Sequence, residues 1–211
     1  MAIEKSKIRF DGRSDLSEVL PLESPYSIYL DPASACNFRC SFCPTGHHDL
    51  VSGSYKRSVM PYSMFEDIIG QISMFSRPLK VLRLNKIGEP TLNSALPEMI
   101  KMARDSRRIE WIDFATNGSK FNGDNIERFL RSGVNRINIS LEGLSTEAYY
   151  QNAKIKFDFD SFVSNLRDLH SEREKMRRVL RVCPEILIKI PQQLLESAGQ
   201  EKQFKSIFNP Y

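Results

Sequence analysis

Apolar residues follow two periods along this chain, and segments with the two periods alternate. Short runs rich in β-branched and aromatic residues are typical of strands, and they fall at about 27–32, 81–85, 111–116, 136–142 and 185–190. Between these runs, apolar residues recur three and four positions apart. This spacing predicts a helix that begins at Ser63 and ends before Arg77-Pro78, and further helices at about 94–105, 124–131, 145–151, 160–177 and 192–207. Strands that alternate with helices predict an α/β fold with a parallel sheet.

Local signals refine this division of the chain. Ser63 and Glu66 have the spacing of a capping box at a helix start, and Gly133 suits the left-handed residue after a helix end. Residues 1–25 are polar and are interpreted as a lead-in segment, so that 26–211 form one domain. Residues 44–62 predict a long loop, and long loops in compact domains are often functional.

Composition and charge exclude several classes of protein. The net charge of +4 is mild and is not gathered into a basic block, so nothing indicates nucleic-acid binding. No apolar run approaches the roughly 20 residues that span a bilayer, and the amino terminus lacks the apolar core of a signal peptide. We therefore expect a cytoplasmic protein with reduced thiols, in which clustered cysteines favour metal binding.

Three of the four cysteines lie within eight residues, directly after the first predicted strand. Cys36, Cys40 and Cys43 form a C-x3-C-x2-C array, and a loop this short can bring three thiolates to one centre. Three thiolates on a [4Fe–4S] cluster leave one iron open to a small molecule. The alternative is a structural zinc site whose fourth ligand is His47 or His48. Cys183 is remote in sequence and is expected to be a buried small residue.

The remaining unusual residues also follow strands. Gly88-Glu89-Pro90 comes after the second strand, Asn117 after the third, and Ser140 and Glu142 lie at the end of the fourth. Each motif is weak alone, because turns and solvated side chains produce the same residues. In parallel βα folds, however, the site lies at the carboxyl ends of the strands, and here these ends carry the motifs one after another.

The combination resembles the radical S-adenosylmethionine (radical SAM) enzymes, whose signature is C-x3-C-x2-C with an aromatic residue before the last cysteine, here Phe42. The resemblance places Phe42 near the adenine of SAM. It gives Gly88, Glu89 and Pro90 the part of a Gly-Gly-Glu-Pro-type turn that receives the methionine amino group, with Ile87 in place of the first glycine. Asn117, Ser140 and Glu142 resemble positions that contact the ribose or the carboxylate.

The resemblance implies a radical SAM core domain that binds a [4Fe–4S] cluster through Cys36, Cys40 and Cys43. The cluster would cleave SAM reductively to a 5′-deoxyadenosyl radical that abstracts hydrogen from a substrate, with electrons from an external donor of the flavodoxin or ferredoxin type. The sequence does not identify the substrate, which a modified peptide, a sugar and a cofactor precursor all fit.

The family core is a partial (βα) barrel of six units, whereas about five are visible here. We therefore expect a domain that is incomplete at its carboxyl end, with an open fifth strand that invites self-association. Two alternatives remain open: a catalytically compromised remnant, and a zinc-stabilised Cys3His binding module.

Overall fold

The computed structural model describes residues 15–46, 57–195 and 197–208. Its centre is a sheet of five parallel strands in the order β1-β2-β3-β4-β5. The strands are β1 Ser27–Tyr29, β2 Leu79–Arg83, β3 Ile109–Thr116, β4 Arg136–Ser140 and β5 Glu185–Lys189. The predicted α/β fold with five βα units is confirmed, and each strand pairs with its neighbour in sequence.

Helices connect the strands. They are α1 Leu16–Val19, α2 Tyr62–Ser73, α3 Leu96–Asp105, α4 Gly123–Arg131, α5 Thr146–Ala153, α6 Phe159–Met176 and α7 Ala198–Phe208. Short 3-10 turns lie at Pro44–Gly46, Pro90–Leu92 and Gln192–Leu195. The helix expected at 192–207 is therefore a 3-10 turn followed by α7. Of the predicted lead-in segment, residues 1–14 lie outside the described part.

The predicted start of α2 is wrong by one residue. Pro61, with extended backbone, is the residue before the helix, and its carbonyl accepts from the Phe65 backbone N–H at 3.2 Å. Ser63 therefore falls inside the first turn, and no side chain caps this end. The predicted role of Gly133 is confirmed, since this residue follows the end of α4 and has a positive φ of 86°.

The core lies between one face of the sheet and the helices. Ile137 and Ile139 of β4 are fully buried on this face, together with Ile112 and Phe114 of β3. The helices contribute the apolar stripes that the sequence predicts, among them Phe65, Ile69, Ile72, Leu96, Met99, Ile100, Ala103, Ile126, Phe129 and Leu130. Because successive strand residues point to opposite faces, Arg136, Asn138 and Ser140 lie on the other face. We call this second side, which carries Tyr29, Arg83 and Glu185, the open face.

The two edges of the sheet are β1 and β5, and the described residues supply no sixth strand. Along β5, Glu185, Leu187 and Lys189 are exposed, whereas Ile186 and Ile188 are half-buried against the core. No helix in the described ranges is long and apolar enough to cross a bilayer.

Candidate functional site

The loops that follow β1, β2, β3 and β4 meet at one edge of the sheet, because all the strands run in the same direction. The Glu89 backbone N–H donates to the Ala35 carbonyl at 2.7 Å, which joins the turn after β2 to the chain just before Cys36. The Glu89 carboxylate in turn accepts from the Asn117 backbone N–H at 2.7 Å. The structure thus brings the predicted motifs into direct contact.

The cysteine loop, residues 36–43, holds three free and half-buried thiols. The Cys43 backbone N–H donates to the Cys40 carbonyl at 3.0 Å, which folds the loop back on itself. The Phe38 N–H lies 3.4 Å from the Cys36 sulfur, and the Cys43 sulfur lies 3.0 Å from the Thr45 hydroxyl. These short-range contacts define the shape of the loop.

Burial raises the pKa of the Cys36 and Cys40 thiols. The carboxylates of Glu89 and Glu142 add to this effect at Cys36 and Cys40 respectively, and so do the neighbouring thiols. Three thiolates at this place would repel one another and the nearby carboxylates. A positively charged iron centre would relieve that repulsion, and cysteine thiolates are the usual ligands of iron–sulfur clusters. The donor set fits a cluster with three protein ligands.

The cysteine loop is clamped from two sides. The Arg39 and Ser41 backbone N–H groups each donate, at 2.9 Å, to carbonyls of Ala153 and Asn152 at the end of α5. On the other side, the Asn117 amide donates to the Asn37 side chain at 2.9 Å. Phe38, inside the loop, is buried and packs edge-on against Tyr149 and Phe157. These contacts hold the loop against α5 and the residues after β3.

The turn after β2 requires glycine at position 88. Gly88 has a φ of 75°, and a Cβ there would lie 2.3 Å from the Ala33 carbonyl oxygen. The position that departs from the family pattern, Ile87, is held through its backbone: its N–H and that of Lys86 donate to Asp31 at 2.9 and 2.6 Å. Asp31 therefore ties the turn to the end of β1.

Glu89 is 2% exposed, and its carboxylate is almost fully engaged by the protein. Its Oε1 accepts from the Thr91 backbone N–H at 3.0 Å and from the hydroxyls of Thr91 and Thr116 at 2.6 Å each, while Oε2 accepts from Asn117. Burial raises the pKa of Glu89, and these hydrogen bonds oppose the rise. Each carboxylate oxygen has about two acceptor positions, and Oε2 uses one of its two for Asn117, so one position on Oε2 remains for a ligand. The contact with the SAM amino group stays a prediction.

The polar side chains at the end of β4 form fewer hydrogen bonds with the protein than Glu89 does. Asn138 and Glu142 are 7% and 5% exposed, yet Asn138 Oδ1 and Glu142 Oε2 have no hydrogen-bond partner within the described part of the chain. Ser140 lies between them and is half-buried. Burial raises the pKa of Glu142, while a hydrogen bond from the Cys40 thiol lowers it. Buried acceptors without donors are costly, so the pair suits a ligand that brings hydroxyl or amino donors.

Two further predicted residues lie next to these groups, Phe42 within the cysteine loop and Pro90 directly after Glu89, whereas Cys183 lies away from them. Phe42 is 63% exposed, and its predicted contact with adenine stays a prediction. Pro90 is buried and starts the 3-10 turn after Glu89. Cys183 is half-buried, not fully buried as expected, and precedes β5 at the opposite end of the sheet from the cysteine loop.

The zinc alternative gains no support. His47 and His48 lie outside the described residues. Within the described part of the chain, no group of three or more cysteine, histidine or acidic side chains is placed to hold a single metal ion.

Sequence reasoning missed several residues that build the site. The hydroxyls of Thr91 and Thr116 donate to Glu89 Oε1, while Asn37 and Asn152 hold the cysteine loop. Asn152 also donates to the Glu142 carbonyl at 2.6 Å. The positions of Asn37, between the first two cysteines, and Thr116, before Asn117, were available signals. The contribution of Asn152 had no signal in the sequence, because it depends on how α5 packs.

Known proteins resemble this chain over the same region. A family model described as the Radical SAM superfamily matches residues 30–180. The GTP 3′,8-cyclase of Photorhabdus laumondii subsp. laumondii is 24% identical over 135 residues, which cover 59% of this chain and 36% of that protein. The probable GTP 3′,8-cyclase of Methanocaldococcus jannaschii is 32% identical over 126 residues, covering 58% and 38% respectively. The chain spans about a third of the length of these curated relatives.

A solved structure supports the same fold. Native anSMEcpe with bound AdoMet matches with a TM-score of 0.64 at 18% identity, covering 86% of this chain and 49% of that one. The family match at residues 30–180 includes the cysteine loop and every predicted site residue through Glu142. The chain belongs to the radical SAM superfamily, whose members use a [4Fe–4S] cluster and S-adenosylmethionine.

Proposed function

We propose that this chain forms the catalytic core of a radical SAM enzyme, in which Cys36, Cys40 and Cys43 hold the cluster and the loops after β2, β3 and β4 hold SAM. One observation carries the proposal. The three thiols lie on a loop held by backbone hydrogen bonds, Cys40 contacts Glu142, and the buried Glu142 Oε2 and Asn138 Oδ1 have no hydrogen-bond partner among the described residues. When bound, the cluster supplies the electron that cleaves SAM to a 5′-deoxyadenosyl radical, which abstracts hydrogen from the substrate.

The protein residues bind and orient. The turn at Gly88 offers backbone carbonyls and the remaining acceptor position of Glu89 to the amino group of SAM. Glu142 Oε2 and Asn138 Oδ1 accept from hydroxyl or amino donors of the cofactor, with Ser140 between them. Phe42 lies beside the adenine when SAM is bound.

The electron donor and the oligomeric state are part of the same proposal. Arg39, Ser41 and Phe42 are exposed around Cys40 and form the rim at which an external flavodoxin- or ferredoxin-type donor would approach. The outer side of β5 has no strand partner among the described residues, and Leu187 is 37% exposed there. Because open edges pair with other chains, we expect self-association through β5.

Cluster loading tests the proposal directly. Reconstituted anaerobically with iron and sulfide, the chain should bind about four irons and show the broad visible absorbance of a thiolate-bound cluster. Cys40→Ala should abolish that absorbance. The matched control is Cys183→Ala, which should leave it intact because Cys183 lies at the other end of the sheet. Equal loss in the two variants would contradict the assignment, and a protein that binds zinc but no iron would favour the binding module.

A further inference from the structure

The open face carries a row of polar and aromatic side chains, one from each strand. The register pairs Tyr29 with Arg83, Arg83 with Asp113, Asp113 with Arg136, and Arg136 with Glu185. Residues paired directly across a parallel sheet point to the same face, so these side chains form a continuous line. Opposite charges that face each other across strands stabilise a sheet, so a ligand is indicated only where the row leaves a charge without a close partner.

The cations of this row are paired unequally. Arg136 donates through Nε and Nη2 to Glu185 at 2.9 and 2.7 Å, and its guanidinium lies 5.1 Å from the centre of the Trp111 ring. Arg83 is held loosely. Its Nε is 3.9 Å from Asp113 Oδ1, which is longer than a hydrogen bond, and its guanidinium lies 5.5 Å from the Tyr29 ring. Glu185 thus holds Arg136 in position but engages only Nε and Nη2, which leaves Nη1 for a ligand. Arg83 has none of its donors engaged in a hydrogen bond within the described residues.

Lys189 is a third cation on this face, nearer to the carboxyl ends of the strands than the row itself. It lies four residues beyond Glu185 on β5, on the same face, and its register partner on β4 is Ser140. Within the described residues, no acceptor lies within hydrogen-bond distance of its ammonium group. Burial lowers the pKa of Lys189, and so do the nearby charges of Arg136 and Arg83, while Asp113 opposes them. Three cations therefore share one neighbourhood with two carboxylates, Asp113 and Glu185.

The location connects this group to the proposed cofactor site. Ser140 belongs to that proposed site and is paired with Lys189 on β5. Arg136 lies two residues before Asn138 on β4, and Arg83 lies in the same row as Arg136, two strands away. A molecule that reached from Ser140 to Arg83 would have one end at the cofactor and the other at the arginines. Guanidinium groups bind phosphate and carboxylate through paired donors, which makes them suited to an oxyanion.

We propose that the open face binds the substrate through an oxyanion, a phosphate or carboxylate group held by Arg83, Arg136 and Lys189. The inference rests on the proposed function, since it identifies the substrate class of that same site. The sequence leaves a modified peptide, a sugar and a cofactor precursor open as substrates. The proposal restricts each class to compounds that carry a phosphate or carboxylate group. Asp113 positions the site by accepting from the Trp111 indole N–H at 3.1 Å, beside Arg83.

The chain provides its own reporter, because Trp111 is its single tryptophan. We would titrate the full, anaerobically reconstituted chain with inorganic tripolyphosphate and, separately, with malonate, at constant ionic strength. An anion bound at Arg136 should change the Trp111 fluorescence saturably. A response to tripolyphosphate identifies a phosphate site, and a response to malonate alone identifies a carboxylate site.

The test uses Arg83→Gln and Lys189→Gln, since neither side chain has a hydrogen bond within the described residues that the fold would lose. Each should weaken anion binding at least roughly tenfold, as expected for the loss of a charge-assisted hydrogen bond. The matched control is Arg131→Gln, which removes an exposed arginine, paired with Glu127 at 2.7 Å on α4, and should leave the affinity unchanged. No saturable response to either anion would overturn the proposal, and so would equal weakening in the control.

This result separates the inference from the proposed function. Tryptophan fluorescence reports anion binding without any turnover, whereas iron content reports the cluster. A chain that loads about four irons but shows no saturable anion response keeps the proposed function and loses the substrate class. Failure to load iron removes the proposed function whatever the anion titration gives.

Discussion

Two buried carboxylates lie at the same edge of the sheet, and their surroundings differ. Glu89, after β2, accepts four hydrogen bonds from Thr91, Thr116 and Asn117. Glu142, after β4, is buried almost as deeply, yet its Oε2 has no partner within the described residues. A satisfied carboxylate stabilises the fold, whereas an unsatisfied one is maintained at a cost. We therefore propose that Glu89 mainly positions the loops and that Glu142 mainly binds a ligand.

The largest expected effect is on stability, at Glu89. Glu89→Ala leaves the Thr91, Thr116 and Asn117 donors without an acceptor, so the free energy of unfolding should fall by about 3 kcal/mol or more. Glu89→Gln keeps one oxygen and should cost about 1–3 kcal/mol. Denaturant unfolding of the unloaded chain measures both values. If Glu89→Ala were as stable as the wild type, the positioning role would be wrong.

The second effect is on affinity, at Glu142. Glu142→Gln should leave the free energy of unfolding nearly unchanged, because Oε2 has no internal partner to lose. The affinity for SAM should fall by roughly 10- to 150-fold, since a hydrogen bond to a charged group contributes about 1.5–3 kcal/mol. Calorimetric titration of the reconstituted protein gives the affinity. Unchanged SAM affinity, or a loss of stability like that of Glu89→Gln, would remove the distinction between the two carboxylates.

The smallest effect is on stability at Gly88, whose missing side chain lets the Glu89 turn lie close to the segment before the cysteine loop. Gly88→Ala forces a side chain into a positive φ and toward the Ala33 carbonyl oxygen, and should destabilise by about 1–3 kcal/mol. Its control is Gly70→Ala within α2, where a Cβ meets nothing within 4 Å. That change should stabilise by about 0.5–1 kcal/mol. Thermal unfolding of the two variants should therefore shift in opposite directions, and a stabilising Gly88→Ala would contradict the described turn.

The sequence predicts the parts of this molecule that depend on local pattern. Strand and helix periods give all five βα units, and the motifs that follow four of the strands identify the edge that carries the site. Boundaries are less reliable, as at Ser63, because the preceding proline sets the start of α2. The alternation along β4 also separates correctly the core side of Ile137 and Ile139 from the polar side of Asn138 and Ser140.

What sequence reasoning could not reach depends on partners distant in the chain. The difference between Glu89 and Glu142 arises from Thr116 on another strand and from an oxygen left without a partner. The row from Tyr29 to Glu185 depends on the register of four strand pairings, which no local pattern determines. Local pattern thus predicted which loops lie together, while register and packing determine the contacts that each residue makes there.

The central claim is that the cysteine loop and the loops beside it form one radical SAM site, and formation of 5′-deoxyadenosine tests it most directly. The reconstituted and chemically reduced chain should form 5′-deoxyadenosine from SAM, slowly and without added substrate. Formation should be lost in Cys40→Ala, retained in Cys183→Ala, and reduced in Glu142→Gln at limiting SAM. A chain that carries about four irons yet forms no 5′-deoxyadenosine under these conditions would contradict the claim.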